Sequence, residues 1–244
     1  MMLIDVVTIF PEFFAGPLQL SIVGRARQAG IVQVQRHDLR DWTTDDHRTV
    51  DDAPYGGGPG MVMKPEPLFA AIEALRGHPA PPVICFTPQG EPLTQSTVQY
   101  LARHRHLIMV CDRYEGTDER VREALVTDEI SLGDFVVSGG ELPALVLIDA
   151  IVRLLPGSVG NEESPARDSF SDGLLEHPHF TRPAQFRAMD VPDELVRGDH
   201  AAVASWRRRQ SLKRTYQRRP DLLASADLSQ EDYDFLAELM ADAR

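Results

Sequence analysis

The fold class is decided by residues 107–116, which read Leu-Ile-Met-Val-Cys-Asp-Arg-Tyr-Glu-Gly. Five consecutive apolar residues are typical of a strand that is buried on both faces of a sheet. A charged turn with a glycine follows, and the next apolar spacing predicts a helix over residues 118–125. A strand, a loop and a helix in this order indicate an α/β structure.

The same alternation extends from this stretch in both directions. Further strands are predicted over residues 3–10, 31–34, 82–86 and 129–137, and further helices over residues 18–29, 67–75, 93–103 and 142–155. Residues 1–156 are therefore expected to form one α/β domain around a parallel sheet. Cys85 and Cys111 lie in predicted strands, so we expect buried thiols in a reducing compartment and no disulfide framework.

The composition changes at Pro156. Residues 157–178 have little apolar periodicity and are predicted to be an interdomain linker or a functional lid. Residues 179–244 are predicted to form a small helical domain, with an arginine-rich helix over 201–217 and a last helix over 230–241. Ser229 is the expected N-cap of that last helix, and Asp232 takes the place of the usual capping-box glutamate.

Charge is distributed unevenly along the 244 residues, whose formal net charge is −12. Residues 197–219 hold eight basic residues and one acid, Asp199. A basic patch on an acidic protein indicates a polyanionic partner, although a solvated helix face remains the alternative. No apolar run approaches the about 18 residues that a membrane span needs, and Asp5 interrupts the apolar start. A soluble cytoplasmic protein is expected.

Three loops follow predicted strands, at residues 87–90, 112–116 and 132–143. Ligands of open α/β sheets bind at the carboxyl ends of strands, so these loops together predict a ligand pocket. The glycine-rich residues 54–61 lack the Gly-Lys-Ser/Thr ending of a phosphate-binding loop, and no Gly-x-Gly-x-x-Gly follows the first strand. Nucleoside triphosphate and dinucleotide sites are therefore disfavoured.

Two isolated residues have both a structural and a functional interpretation. Arg153 lies on an apolar helix, where it must meet an anion, a carbonyl or the surface. Asp168 lies in the patternless segment, where a helix cap is the ordinary role of an aspartate. His179, Phe180 and Arg182 are groups that stack on RNA bases and that also occur in ordinary loops. The spacing of the histidines does not predict a zinc site, and no metal-ligand cluster is expected.

Several motifs together resemble the bacterial tRNA (guanine-N1)-methyltransferase family, TrmD type. In chain order they are residues 9–14 (IFPEFF), 46–52 (DHRTVDD) with 54–61 (PYGGGPGM), 88–90 (PQG), 113–116 (RYEG), 138–143 (SGGELP), 174–179 (LLEHPH) and 181–183 (TRP). The match spans essentially the whole chain. It implies a sheet of the SPOUT class with a deep trefoil knot formed by the three pocket loops. It also implies a homodimer whose active sites use both chains.

The resemblance further implies methyl transfer from S-adenosylmethionine to N1 of guanosine 37, which is 3′ of the tRNA anticodon. Asp168 is implied as the general base, Arg153 as the cation beside O6, and Glu115 as a residue next to the cofactor or the guanine. The implied cofactor-binding residues are Thr87, Pro88, Gln89, Gly90, Asp112, Tyr114, Glu115, Gly116, Leu132, Gly133, Asp134, Phe135, Val136, Val137, Gly139, Gly140 and Pro143.

The implied tRNA-binding residues are His179, Arg182, Arg207, Arg208, Arg214 and Arg218, and the family is also associated with Mg²⁺. The chain departs from the family pattern at Asp112, where glycine is usual, and at Phe135, where tyrosine is frequent. Two alternatives stay open. One is a SPOUT methyltransferase acting on ribosomal RNA, and the other is a non-catalytic nucleic-acid-binding regulator without a methyl donor.

Overall fold

The computed structural model describes residues 1–160 and 168–242. The chain divides into two units, Met1–Gly160 and Asn161–Arg244. The division predicted from the sequence, with a lid over residues 157–178, stays a prediction, and residues 161–167 of that lid lie outside the described residues.

The first unit is built on a five-stranded sheet of order β2-β1-β6-β5-β7. Its strands are β1 (Met2–Thr8), β2 (Val32–Asp38), β5 (Val83–Pro92), β6 (His106–Val110) and β7 (Asp128–Ser131), and the short β3 (Asp51–Asp52) and β4 (Val62–Met63) pair separately. Every neighbouring pair in the large sheet is parallel. The predicted α/β class with a parallel sheet is confirmed.

Helices cover both faces of this sheet. They are α1 (Ser21–Gln28), α2 (Pro65–Leu75), α3 (Gln95–Leu101), α4 (Glu119–Leu125) and α5 (Glu141–Val152). Side chains alternate along β6, so Leu107 and Met109 join the core under α1, α3 and α5, whereas Ile108 and Val110 join the core under α2 and α4. Cys85 and Cys111 are free and buried, as predicted.

Helix α5 follows β7 and has apolar residues on all sides. Ala144, Leu147 and Ile151 are fully buried, whereas Leu142 and Val146 are 50% and 48% exposed. Positions 144, 147 and 151 recur at helical spacing, so one face of α5 packs against the sheet. The opposite apolar face is accessible in the single chain.

The second unit contains the helices α6 (Asp193–Val196), α7 (His200–Arg218) and α8 (Gln230–Asp242) and the short strands β8 (Gln185–Phe186) and β9 (Met189–Asp190). Leu174, Leu212 and Leu236 form its buried core. The predicted capping box is confirmed, since the Asp232 amide donates to Ser229 Oγ and the Ser229 amide donates to Asp232 Oδ2. Within the described residues, helices long and apolar enough to cross a membrane are absent.

Several strands differ from their predicted bounds: β1 ends at Thr8 instead of residue 10, and β2 continues to Asp38 instead of residue 34. The differences in β7 and β5 affect the loops that follow them. Strand β7 ends at Ser131 instead of residue 137, because the Ser131 hydroxyl accepts a hydrogen bond from the Gly133 amide and the chain turns there. Strand β5 continues to Pro92 after a break in register, where both Phe86 and Glu91 lie opposite Ile130. The loop predicted at residues 87–90 is this break.

Candidate functional site

A cavity of about 300 Å³ opens in the first unit where β5, β6 and β7 carry their loops. We call it the strand-end cavity. It is lined by residues 86–89, 112–117, 130–132 and 135–139, together with Arg122 and Pro143. The three parallel strands are neighbours in the sheet, so loops that are distant in sequence meet at one edge. The predicted ligand pocket is therefore present as a cavity.

Most of the residues implied as cofactor-binding line the strand-end cavity, but four do not: Gly90, Gly133, Asp134 and Gly140. Two of these glycines have a packing reason. A Cβ on Gly90 would lie 2.5 Å from the Glu129 carbonyl carbon, and a Cβ on Gly140 would lie 2.7 Å from Cys111 Cα. These positions need glycine because the backbones approach closely. Direct contact of Gly90, Gly133, Asp134 and Gly140 with a cofactor stays a prediction.

Seven lining residues are not among the implied cofactor-binding residues, although Arg113 and Ser138 lie in the predicted pocket loops: Phe86, Arg113, Thr117, Arg122, Ile130, Ser131 and Ser138. Phe86, Ile130 and Ser131 belong to apolar runs that predict strands, and such runs indicate a core role. Arg122 lies on α4 and reaches the cavity across a turn, where its guanidinium donates to Gln89 Oε1 at 3.1 Å. The spacing of α4 residues alone would not have indicated this contact.

Hydrogen bonds join the loop at residues 112–116 to the loop at residues 132–143. The Gly140 amide donates to the Asp112 carbonyl at 2.9 Å, and Arg113 Nη1 donates to the Ser138 carbonyl at 3.1 Å. Arg113 Nη2 also lies 2.8 Å from Glu141 Oε2. Thr8 Oγ1 donates to Glu141 Oε1 at 2.8 Å. The cavity wall is therefore tied to β1 and to the first turn of α5.

The glycine-rich residues 54–61 lie against the same wall. The Glu115 amide donates to the Met61 carbonyl at 3.0 Å, and a Cβ on Gly60 would lie 2.2 Å from Glu115 Oε1. Gly60 has φ +85°, which also favours glycine. This loop thus packs on the carboxylate of Glu115. A negative charge beside Gly60 is unfavourable for a phosphate or a nucleotide bound there.

Asp112 is a residue of the strand-end cavity with an unusual pKa. Burial, with a smaller effect of the nearby Glu141, raises its pKa to about 7 against the opposing effects of its own backbone amide, Arg122 and Arg113. Arg122 is itself bound to Glu129, with Nη2 to Oε2 at 2.5 Å, and this hydrogen bonding raises the pKa of Arg122. Asp112 is therefore a carboxyl group that titrates near neutrality.

Arg153 and Asp168 are located in different units. Arg153 is half-buried at the C-cap of α5, where its amide donates to the Asp149 carbonyl. A cation is favourable at a helix C-terminus, which accounts for an arginine after an apolar helix. Asp168 is the first residue of a turn that includes Phe170, and its carbonyl accepts a hydrogen bond from the Ser171 amide at 3.1 Å. It is half-buried. The role of each in catalysis stays a prediction.

A cluster of rings lies in the second unit beside α7. Trp206 contacts both His177 and Phe180, at ring-centroid distances of 6.4 and 6.2 Å. A cavity of about 810 Å³ lies beside these rings, and its lining includes Arg182 and Arg207. Burial lowers the pKa of His177, and neighbouring His179 and Arg207 lower it further, so His177 favours the neutral ring.

Glu176, His177 and His179 bring one ligand atom each within 4.8 Å of one another. No metal-ligand cluster was expected from the histidine spacing, so this grouping is a finding of the structure. In the described residues Glu176 Oε1 lies 2.8 Å from His179 Nε2, which satisfies both groups without an ion. Two imidazoles are ligands for Zn²⁺ or Ni²⁺ rather than for Mg²⁺, which prefers oxygen.

Three arginines of α7 form a stripe. Arg207, Arg214 and Arg218 are separated by seven and four residues, which places them on one face of the helix. We call this set the arginine stripe. Within residues 168–242, these three side chains form no ion pair. The stripe lies on a different face from buried Leu212 and Thr215.

Arg208 differs from its neighbours. Its guanidinium binds both carboxylate oxygens of Asp232, at 3.1 and 2.8 Å, and also the Asp227 carbonyl at 3.0 Å. A further contact joins it to Asp172 at 3.3 Å. Arg208 therefore holds α7 against α8, and its implied tRNA contact would compete with these bonds.

The comparisons with known proteins agree over nearly the full length. A profile described as tRNA (Guanine-1)-methyltransferase TrmD matches residues 2–225. A relative from Pelotomaculum thermopropionicum is 54% identical over 243 residues, covering 98% of this chain and 97% of its own. One from Moorella thermoacetica is 55% identical over 241 residues, with coverage of 98% and 96%. Both relatives are named tRNA (guanine-N(1)-)-methyltransferase. A cavity at the strand ends and a match of this extent together show that the chain belongs to the TrmD family of tRNA (guanine-1)-methyltransferases.

Proposed function

We propose that this protein transfers the methyl group of S-adenosylmethionine to N1 of guanosine 37 in tRNA. The observation that carries the proposal is the full-length match to tRNA (guanine-1)-methyltransferases, since two relatives and the profile cover the cavity loops and α7 alike. A methyltransferase of this family implies S-adenosylmethionine as the donor. The choice of guanosine 37 follows from the resemblance of the motifs.

The strand-end cavity has properties that suit the donor. Its volume of about 300 Å³ lies at the lower end of the range of small-molecule pockets, about 300–1,000 Å³. Exposed apolar side chains of the lining, such as Phe135 and Val137, offer a surface for an adenine ring, and Asp112 offers an anionic group. S-adenosylmethionine supplies an electrophilic methyl group when bound. The lining loops at residues 86–89, 112–117 and 135–139 would hold it.

The acceptor determines which side chains are needed. N1 of neutral guanine carries a proton, so its lone pair is not free until a base removes that proton. Negative charge then develops on O6, where a cation is stabilising. In our proposal Asp168 takes the proton from N1, Arg153 stabilises the charge at O6, and Glu115 lies beside the reacting groups. The assignment gives a chemical reason for a carboxylate in the segment before Phe170 and for a guanidinium at the end of α5.

Arg153 belongs to the first unit and Asp168 to the second, and a homodimer that builds each site from both chains would use one from each subunit. Exposed apolar side chains on the first unit support such a dimer. Leu142 and Val146 are one turn apart on α5 and are 50% and 48% exposed, so they form an apolar strip that a second copy would cover. The three loops of the strand-end cavity would also form the trefoil knot of the SPOUT class.

The second unit supplies the proposed tRNA interface. The arginine stripe places positive charge along one helix face and suits phosphates, which set affinity rather than base choice. His179 and Arg182 lie beside the ring cluster of Trp206, where an unstacked base has aromatic surface to contact. The predicted role of residues 157–178 as a lid over bound tRNA stays part of this proposal. Mg²⁺ dependence stays an expectation from the family.

The proposal is tested with tRNA transcripts that differ only at position 37. Wild-type protein, radiolabelled S-adenosylmethionine and a guanosine-37 transcript should give 1-methylguanosine in the digested tRNA. The adenosine-37 transcript is the matched control and should remain unlabelled. Labelling of ribosomal RNA instead of either transcript would favour the ribosomal alternative. Absence of donor binding by calorimetry would favour a non-catalytic regulator.

A further inference from the structure

Asp112 is placed where β6 ends and the strand-end cavity begins. Its Oδ2 lies 3.7 Å from the position that a Cβ on Gly116 would occupy, and both residues line the cavity. Its own backbone amide provides a hydrogen bond that favours the ionised form. No ion pair with Asp112 is present among the residues that the structure describes. The carboxyl group thus faces a small cavity without a cation bound to it.

The charged groups around Asp112 are largely paired with one another. From the neighbouring elements they are Arg113 in its own loop, Arg122 on α4, Glu141 on α5, Glu129 on β7 and the thiols of Cys85 and Cys111. Arg113 is bound to Glu141 at 2.8 Å, and Arg122 is bound to Glu129. Each arginine is therefore compensated locally. Glu115, farther along the same loop, also lines the cavity, and among the described residues neither it nor Asp112 has an ion-pair partner. Of these two carboxyl groups, Asp112 is the less exposed.

We propose that Asp112 distinguishes the methyl donor from the spent product, because its ionised carboxylate favours the positively charged S-adenosylmethionine over S-adenosylhomocysteine. The proposal rests on the proposed function, in which the strand-end cavity binds the donor. It adds a specificity-determining residue to that cavity.

The two ligands differ by one methyl group and one charge. In both, the amino and carboxylate groups of the methionine part cancel. The sulfonium gives the donor a net charge of +1, whereas the thioether of the product is neutral. In a partly desolvated cavity a carboxylate interacts with a ligand cation more strongly than it would in water. Ionised Asp112 therefore stabilises the donor complex and contributes much less to the product complex.

The direction of the pH dependence follows from the same difference in charge. Burial raises the pKa of Asp112 to about 7, and a bound cation lowers it again. Donor binding is then linked to release of a proton below about pH 7. Donor affinity should rise between pH 6 and pH 8, whereas product affinity should change little over that range.

Isothermal titration calorimetry of the full-length protein tests the proposal without turnover. S-adenosylmethionine and S-adenosylhomocysteine are titrated at pH 6, 7 and 8, in buffers of different ionisation enthalpy so that released protons are counted. The variants are Asp112→Asn, which keeps the shape and removes the charge, and Asp112→Gly. The matched control is Glu73→Gln, which removes an exposed charge on α2 outside the cavity lining.

We expect Asp112→Asn to weaken donor binding about tenfold at pH 8, to leave product binding within about twofold, and to abolish the proton release. Glu73→Gln should behave as wild type. Equal weakening of both ligands, or no change in either, would overturn the proposal. If Asp112→Asn does not fold, the affinities for donor and product are compared in Asp112→Gly and in the wild-type pH series, and the same outcomes support or overturn the proposal. Wild-type protein that binds neither ligand would instead remove the donor cavity from the proposed function.

Discussion

Glu141 and Arg113 form an ion pair of 2.8 Å in which the Glu141 side chain is only 1% exposed. The pair joins the start of α5 to the loop after β6, and Arg113 also donates to the Ser138 carbonyl. One buried carboxylate therefore holds two walls of the strand-end cavity. Its other oxygen accepts a hydrogen bond from Thr8 on β1.

Replacing Glu141 by alanine should destabilise the first unit by about 3 kcal/mol, because Arg113 would be left without its partner in a partly buried site. Urea unfolding followed by Trp42 fluorescence in a Trp206→Phe background measures the change. Glu119→Ala is the control, since its ion pair with Arg122 is exposed and worth less than about 1 kcal/mol. Similar destabilisation of the two variants would show that the buried pair has no special role.

Asp168→Asn should lower methyl transfer at least about 100-fold, because an amide cannot take the proton from N1. Binding of S-adenosylmethionine and of tRNA, measured separately, should stay within a few-fold of wild type. Asp172→Asn is a nearby control, four residues along the chain and 60% exposed. Normal turnover by Asp168→Asn would remove Asp168 from the reaction.

Removing charge from the arginine stripe should weaken tRNA binding most at low salt. Arg207→Ala with Arg214→Ala is expected to reduce the slope of log affinity against log salt by about one for each phosphate that is no longer neutralised. Arg219→Ala is the control, because Arg219 is already paired with Asp221 at 2.7 Å. A slope that is unchanged in the double variant would place the interface elsewhere.

The second unit should lose stability in acid through Asp232. Hydrogen bonds from Arg208 lower the pKa of Asp232, so its stabilising contribution is present at neutral pH and is lost as the pH falls below about 4. Asp232→Asn should cost about 1–2 kcal/mol at pH 7 and should reduce the difference between pH 7 and pH 3.5.

Urea unfolding followed by Trp206 fluorescence in a Trp42→Phe background reports these stabilities. Asp234→Asn on the same helix is the control, since Asp234 accepts a single exposed hydrogen bond from Gln230. If the two variants have the same pH dependence, Asp232 does not carry the acid sensitivity of the unit.

Local patterns predicted most of the elements. The apolar spacing of Leu68, Ala71 and Ile72 predicted α2, although the helix begins at Pro65 and not at residue 67. The capping box of α8 was also predictable, because Ser229 and Asp232 are close in sequence and a short-range rule describes them. Such features depend on neighbours along the chain.

Features that depend on distant partners were not predictable in this way. The basic charge of the segment and the resemblance grouped Arg208 with the arginines implied as tRNA-binding, but its bonds to Asp232 cross 24 residues of sequence. The strand predicted through Val137 followed the apolar run of Phe135, Val136 and Val137, yet these side chains are exposed beside the cavity and do not enter the sheet. A single sequence does not distinguish an apolar loop that lines a cavity from a buried strand.

The arginine stripe has a fixed length as well as a charge. Eleven residues of α helix separate Arg207 from Arg218, and a rise of about 1.5 Å per residue makes this interval about 16 Å. In the proposed function, this helix would present its positive charges to the RNA backbone at fixed intervals of about two and three turns. Adding arginines at other positions of α7 would increase attraction to any polyanion. Keeping the spacing of Arg207, Arg214 and Arg218 is what would match one particular run of phosphates.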